Sequence, residues 1–379
     1  MWKRSDELSG KLPNHILVDR KSELMLKVIF TLDYEIHGNG QGFPYDLMVE
    51  PTNRMLDMFS RYGAKLTIFP DVAEIIKFGE YKDYYGRDEY CYDNIIKQLQ
   101  RTVKTGHDVQ LHIHSSYFNA IYKEGQWLQD WSEYSFSDLP YERISWMIRI
   151  GKKFLESILK PVDQRFRCIA FRAANWSVNP SENIARTLIE NDIKIDTSVF
   201  KYGQRKGINN FNYSYAHNAL IPWIASNDDF CCFDPGGQIW EFPIYSEKRW
   251  IGAFITLNRF YRALQSRLYK IPNTPTPGKK SQLPSWSGKV QSIKRLFLSK
   301  HAWKADFNQC SGRQLIQALI RAEKQVLTSE IIPFILIGHS KTFTRWNERS
   351  IKTFLEFVAR HSNRFSFGTF STLNPIFRK

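Results

Sequence analysis

Cysteine is scarce in this sequence and long apolar runs are absent. The 379 residues include five cysteines, with no Cys-x-x-Cys spacing and only Cys231 and Cys232 adjacent. This argues against a disulfide framework and suits a reducing cytosol, with each thiol read as a small core hydrophobe. No stretch nears the ~18 uninterrupted apolar residues of a bilayer span. Residues 1–27 alternate charge and polarity without the apolar core of a secretory signal, so they read as an N-terminal extension and the expected location is cytoplasmic. No internal repeat is visible. Acidic residues are missing from one region: 248–304 holds 13 Lys or Arg and no Asp or Glu. The whole chain carries +15, so the remainder carries 15 − 13 = +2. The basic segment therefore needs its own explanation.

What is present describes a globular protein. Apolar residues make up 42% and aromatics 15%, enough for a sizeable core. Strand-like and helix-like segments alternate. Residues 28–33 (VIFTLD) read as a buried strand. Residues 51–62 read as a helix, with Pro51 in its first turn and Gly63 as C-cap. A strand at 65–69 follows, then a helix at 93–105 closed by Gly106 and a strand at 108–113. The helix at 141–159 leads into a strand at 169–172, and 180–191 leads into 193–197. Later come a strand at 238–243, a helix at 312–327, a strand at 334–338, a helix at 350–360 and a strand at 365–367. This βα alternation predicts an α/β fold with a parallel sheet covered by helices. About seven strands favour a distorted barrel, spanning 28–379 and interrupted by a basic insertion at 248–304. Four prolines and two glycines in 270–289 mark a loop inside that insertion.

In a parallel barrel, chemistry sits at the C-terminal ends of strands. The first strand ends in Asp33-Tyr34-Glu35, whose carboxylates are two apart and point to one side of an extended chain. The third ends in His112-Ile113-His114, again an i, i+2 pair. Two imidazoles and a carboxylate are a common ligand set for zinc or a similar divalent ion. The fourth ends in Arg172-Ala173-Ala174-Asn175-Trp176, and a late strand ends in His339. Singly, each residue has an ordinary structural explanation: a turn partner, a salt bridge, a satisfied polar group. Their joint placement after four different strands points to a site.

In order and spacing these segments resemble the NodB-type polysaccharide deacetylase superfamily. Thr31-Leu32-Asp33-Tyr34-Glu35 is similar to its first motif, 106–114 to its second, Phe171-Arg172-Ala173-Ala174 to its third and Leu336-Ile337-Gly338-His339 to its last. Lys65 to Phe69 resembles its second strand. The resemblance covers about 28–368 and implies a metal-dependent amidohydrolase on a distorted barrel. It implies Asp33 as base, Arg172 holding that base charged, His339 as acid, and Glu35, His112 and His114 as ligands of one divalent ion, zinc or similar. Three departures stand out. The family's adjacent Asp pair is Asp-Tyr-Glu here. Ser116 stands where the second His would come, which moves that role to His114. Ala173 replaces a proline. Tyr34, Tyr117, Asn175 and Trp176 are the candidates for substrate contact.

The substrate so implied is an N-acetylated sugar or glycan, in surface polysaccharide biosynthesis. Rival readings are a glycan-binding barrel without catalysis and an amidohydrolase of small cyclic amides. A nucleic-acid partner is disfavoured, because no recognised motif accompanies the charge. Within the basic segment, Trp250, Ile251, Phe254, Leu257, Phe260, Tyr261, Leu264 and Leu268 recur at roughly helical spacing with Arg259, Arg262 and Arg267 between them. A second such mix lies at 290–297. An apolar face beside Lys and Arg suits peripheral contact with anionic membrane at its inner face, near a lipid-linked glycan. The alternative is a lid whose cations hold an acidic or diphosphate-linked substrate.

Overall fold

The structure is a computed structural model that describes residues 26–36, 42–207, 209–268, 297–326 and 331–373. The expected N-terminal extension up to residue 25, the Pro-rich loop at 270–289 and most of the stretch at 290–297 lie outside the described residues.

The first strand, β1 (Leu26–Tyr34), is buried along almost its whole length, as expected of a parallel strand covered on both faces. It begins at Leu26, so it includes Lys27 from the expected extension. Next come β2 (Leu66–Pro70), β3 (Asp108–Val109), β4 (Leu111–Ile113), β5 (Ala170–Ala173), β6 (Ile195–Asp196), β7 (Trp223–Ala225), β8 (Ile239–Glu241), β9 (Ser246–Arg249), β10 (His301–Lys304), β11 (Ile332–His339) and β12 (Phe365–Phe367). Covering helices are α1 (Glu50–Arg61), α2 (Val72–Tyr85), α3 (Tyr92–Lys104), α4 (Tyr141–Leu159), α5 (Glu182–Glu190), α6 (Leu257–Leu268), α7 (Gly312–Glu323) and α8 (Arg345–Arg360).

Ten of these strands form two five-stranded sheets, and β9 and β10 pair with each other. One has the order β11-β1-β2-β3, with β12 also paired to β1. The other runs β7-β8-β6-β5-β4, parallel except for the β7–β8 pair. The parallel α/β architecture is as the sequence predicts. Among the described residues the ladders do not close into one ring, but single bridges join the sheets at both seams. At one seam Asp71 bridges His112 and the Gln110 N–H donates to the Ile68 carbonyl at 2.8 Å. At the other, Ile244 bridges Ile335, and 305–307 lies along β11 with Asp306 bridging Ile337.

The expected strand 108–113 breaks at Gln110 for a hydrogen-bonding reason. The Gln110 side-chain oxygen accepts from the N–H groups of Ile169 (2.9 Å) and Ala170 (2.8 Å). The chain thereby passes from pairing with β2 to pairing with β5. Helix α2 was not read from the sequence. Val72, Ala73, Ile75, Phe78 and Tyr81 are all buried, so apolar residues surround it too widely for a clear stripe. Helix α8 starts at Arg345, earlier than expected, because Thr344 and Asn347 form a reciprocal cap.

Register matters more for function than element count. Asp33 lies opposite His339 on one side and Phe69 on the other. His112 lies opposite Arg172. Beneath them, the Phe30 ring packs against Phe59, Phe307, Phe354 and Phe367 at centroid distances of 4.6, 5.8, 5.8 and 6.3 Å. This ties β1 to helices α1 and α8 and to the 305–308 segment.

Gly338, next to His339, is the tightest point of that packing. A Cβ there would lie 2.1 Å from the Phe307 ring and 2.6 Å from Asn308 Oδ1. Gly338→Ala should therefore lower unfolding free energy by about 1–3 kcal/mol, the usual cost of overpacking. Urea unfolding of the two proteins measures this; equal stabilities would mean that 305–308 does not pack on β11 as described.

Candidate active site

Asp33 and Glu35 lie on one side of β1 and its extension, two residues apart, and both are buried. Tyr34 between them points to the other side, into the core. Asp33 Oδ1 accepts from Arg172 Nη1 at 2.6 Å. The other carboxylate oxygen, Oδ2, lies 3.5 Å from His339 Nε2. Burial alone would raise the Asp33 pKa, but the charge of Arg172, then those of His339 and His112, outweigh it and hold the acid below its ordinary value.

Arg172 is fully buried. Its Nε donates to the Thr197 carbonyl at 3.0 Å, Nη2 reaches Thr197 Oγ1 at 3.4 Å, and the guanidinium lies 4.5 Å from the Phe69 ring centroid. Behind it sit two further buried acids, Asp196 and Glu241. Burial raises both pKa values, and for Glu241 the neighbouring Asp196 adds to the rise. Arg172 acts on these two acids as well, but only in Asp33 does its charge outweigh burial.

Glu35 Oε2 faces two imidazoles: His114 Nε2 at 2.6 Å and His112 Nε2 at 3.3 Å. One ligand atom from each of the three residues lies within 4.8 Å of the others. His112 Nδ1 is 2.8 Å from the Arg172 carbonyl, which can only accept, so Nδ1 carries the proton. Its Nε2 is thereby turned to the cluster, the usual arrangement behind a metal-ligating histidine. Burial pulls His112 down, yet the Glu35 and Asp33 carboxylates prevail and hold its pKa at about 9. The cluster thus draws positive charge, which a divalent ion could supply with release of the proton on His112 Nε2. The donor set, one carboxylate and two imidazoles, fits zinc or a similar ion.

Sequence reasoning missed several residues here. Lys341 donates to Glu35 Oε1 at 2.8 Å and to the Ile36 carbonyl at 3.0 Å. It reserves Oε1 and leaves Oε2 for the imidazoles. Its position two after His339 was the available signal. Asp71, at the end of β2, accepts from the His114 N–H at 3.0 Å and also from the Ala73 N–H, capping α2. A carboxylate before a helix reads only as a cap. Ser116 does not enter the cluster; its hydroxyl donates to Gln129 at 2.7 Å.

The proposed substrate-contact residues fare unequally. Tyr34 and Tyr117 are fully buried and offer no ring face to a ligand, and Tyr117 bonds to Glu74. That sets both apart from Asn175 and Trp176 as candidates for substrate contact: alternation along the extended chain sends Tyr34 behind the sheet. Asn175 accepts from Tyr134 at 2.9 Å. Trp176 is half-buried, and the Lys304 ammonium lies 3.6 Å from its ring centroid.

The buried ion pair makes a stability prediction. Arg172→Met leaves Asp33 uncompensated and should cost about 3–5 kcal/mol at neutral pH. The depressed pKa of Asp33 means that the pair stabilises above the ordinary carboxylate range and loses its contribution as pH falls through the folded value. The gap between wild type and variant should therefore narrow in acid, where Asp33 in the variant can take a proton. Denaturant unfolding at neutral and acid pH measures this; a pH-independent gap would contradict it.

No family model matches the chain, and no curated protein matches its sequence. Among solved structures it is similar to a protein from Mycobacterium smegmatis assigned as a polysaccharide deacetylase, at 11% identity and TM-score 0.48, over 94% of this chain and 91% of that one. It is similar to an allantoinase at the same identity, TM-score and coverages. A branching enzyme from Pyrococcus horikoshii matches at 12% identity and TM-score 0.47, over 93% and 70%. Matches at this level name no reaction and no substrate for this chain.

Proposed function

We propose that the protein is a divalent-metal-dependent hydrolase that removes an N-acetyl or similar acyl group from a sugar. The observation that supports this best is the meeting of Glu35, His112 and His114 beside an Asp33–Arg172 pair and His339. We read the two bridged sheets as the distorted barrel expected from the sequence, with these residues at its C-terminal mouth. The sugar comes from the motif resemblance.

Glu35, His112 and His114 would hold a divalent ion, whose charge would polarise an amide carbonyl and make a nearby water more acidic. The protein groups do the rest. Arg172 keeps Asp33 ionised and fixes Oδ1, so Oδ2 is free to take a proton from water. His339 Nε2, 3.5 Å from Oδ2, is placed to receive that proton and pass it to the leaving amine. Lys341 holds the Glu35 carboxylate in place, and Asp71 holds the backbone of His114.

Acetate release from N-acetylated sugars, with metal content measured on the same samples, tests this. Glu35→Gln and His112→Ala should lose both metal and turnover. Asp33→Asn should keep the metal and lose roughly 10²–10⁴-fold in turnover, the usual worth of a general base. Metal lost from Asp33→Asn and kept by Glu35→Gln would exchange the two roles. A protein without metal that still binds glycans would favour the non-catalytic reading, and activity confined to cyclic amides would favour the other rival.

The same reading proposes a place for the enzyme on anionic lipid. No described helix is long and apolar enough to cross a membrane. Yet α6 turns apolar residues outward: Leu257 is 58% exposed and Phe260 63%, beside Ile255 at 80% and Leu298 at 75%. Lys300 lies over the exposed Trp250 ring. Apolar side chains flanked by cations suit a bilayer interface, where each cation near an anionic surface adds about 1 kcal/mol. Sedimentation with phosphatidylserine vesicles should carry the protein down at low salt and less at high salt. Leu257→Glu with Phe260→Glu should abolish it; vesicle binding unchanged in that variant would remove this face from the account.

A further inference from the structure

The basic segment returns to the fold as a two-stranded ribbon, in which Ser246 of β9 pairs with Lys304 of β10. The residues that follow run directly into the site's wall. Ile337 N–H donates to the Ala305 carbonyl and Phe307 N–H to the Ile337 carbonyl, both at 2.9 Å. His339 N–H donates to Asn308 Oδ1 at 2.7 Å. Lys304 is thus anchored beside the strand that carries His339. Its side chain reaches towards the end of β5 and lies over Trp176, with the ammonium 5.0 Å from the Phe200 ring.

The ring beneath it is held at a cost. Asn175 and Trp176 both have positive φ, +55° and +57°. That left-handed conformation is unusual for a bulky residue and persists only when the surroundings enforce it. Asn209 donates to the Asn175 carbonyl at 2.7 Å, Tyr134 to the Asn175 side chain, and the Tyr213 hydroxyl to the Trp176 carbonyl. Phe200 meets the indole edge-on at 5.3 Å. The fold therefore clamps an asparagine that tolerates this conformation and a tryptophan that does not, with the indole fixed under an ammonium.

That ammonium lacks a counter-ion. Among the described residues no carboxylate lies within 4.0 Å of it. Asp33 and Asp306 are the acids that act on it from further away. Asp33 is committed to Arg172. Asp306 is taken by the N–H groups of Asn308 and Gln309 and by the Gln309 side chain. Arg172 and Arg262 add like charge. Burial, the largest influence, lowers the Lys304 pKa to about 8. Arg259 and Arg262 on α6 are half-buried, while Leu257, Phe260 and Leu264 of the same helix are exposed. Among the described side chains of this helix, these two cations are thus less exposed than the apolar groups, the reverse of the usual amphipathic arrangement. A half-buried cation that has ring faces but no carboxylate against it still gains from an anion.

We propose that Lys304, seated on Trp176, binds an anionic group of the substrate, a carboxylate or a phosphate ester, so that the enzyme selects an acidic acylamino sugar over a neutral one. Arg262, from the basic insertion, reinforces the same charge. The proposal rests on the deacylase reading for the word substrate, but the anion site stands or falls separately.

Two measurements separate these claims. The first is acetate release by the metal-loaded protein from N-acetylglucosamine, its 1-phosphate and N-acetylglucosaminuronic acid. One of the acidic sugars should exceed the neutral one in kcat/KM by about 10–100-fold, the worth of a charge-assisted hydrogen bond, and comparing the two acidic sugars identifies phosphate or carboxylate as the group. In Lys304→Met the ratio should fall towards one, and Lys304→Arg should restore most of it. The second is binding of inorganic phosphate and of glucuronate, followed by tryptophan fluorescence and calorimetry. Binding should weaken at least tenfold in Lys304→Met, whereas anion binding at the metal would survive that change. A wild-type enzyme that hydrolyses the neutral sugar as well as both acidic ones overturns the proposal whether or not the variants fold. So does a Lys304→Met protein with undiminished selectivity or anion binding. If no sugar is hydrolysed, the deacylase reading fails, and phosphate and glucuronate binding alone decide the role of Lys304.

Discussion

A guanidinium with no exposure to water must find its partners inside the protein, and the functional end of this fold is arranged around that requirement. Arg172 meets it with the Asp33 carboxylate, the Thr197 carbonyl and the face of Phe69. These contacts join β5, β1, the chain after β6, and β2. The buried acids Asp196 and Glu241 lie near enough to feel the same charge, but burial raises their pKa values while that of Asp33 is lowered. Asp33 is left as the acid that Arg172 holds ionised. A buried pair of this kind is weak evidence for stability in itself. Its strength as an argument is the price the fold accepts for one ionised carboxylate at a defined place.

The neighbouring cluster follows from the same strand. Pleating sends Glu35 to the side that Asp33 occupies, and the register between β4 and β5 sets His112 level with Arg172. One carbonyl, that of Arg172, then orients the His112 ring. The ion-pairing residue and the candidate ligand are therefore linked through a backbone atom as well as through charge. Lys341 introduces a tension. It fixes Glu35, yet places a cation next to a group that would bind one.

Much of this was legible because it depends on local pattern. The pairs Asp33/Glu35 and His112/His114 are i, i+2 at strand ends, and pleating alone predicts a shared side. Arg172 and His339 sit near the ends of strands of four and eight residues whose apolar runs are plain. What was not legible depends on long-range packing. Gln110 splits a strand through bonds to residues 169 and 170. Helix α2 lacks a polar face clear enough to read. Nothing local announces that Lys304 lies over Trp176, since 128 residues separate them and the contact needs both the ribbon and the strained turn. Tyr34 and Tyr117 show the opposite error. Aromatic side chains near a site suggest a sugar platform, but the core claims both.

The central claim is that Glu35, His112 and His114 hold one divalent ion at the mouth of the strands. Zinc-edge X-ray absorption on the purified, zinc-loaded protein tests it most directly. The account predicts one tightly held ion per chain, with two imidazole nitrogens and at least one oxygen at about 2.0–2.2 Å. Zinc that fails to bind at stoichiometric level, or a first shell with sulfur or without imidazole, would contradict it.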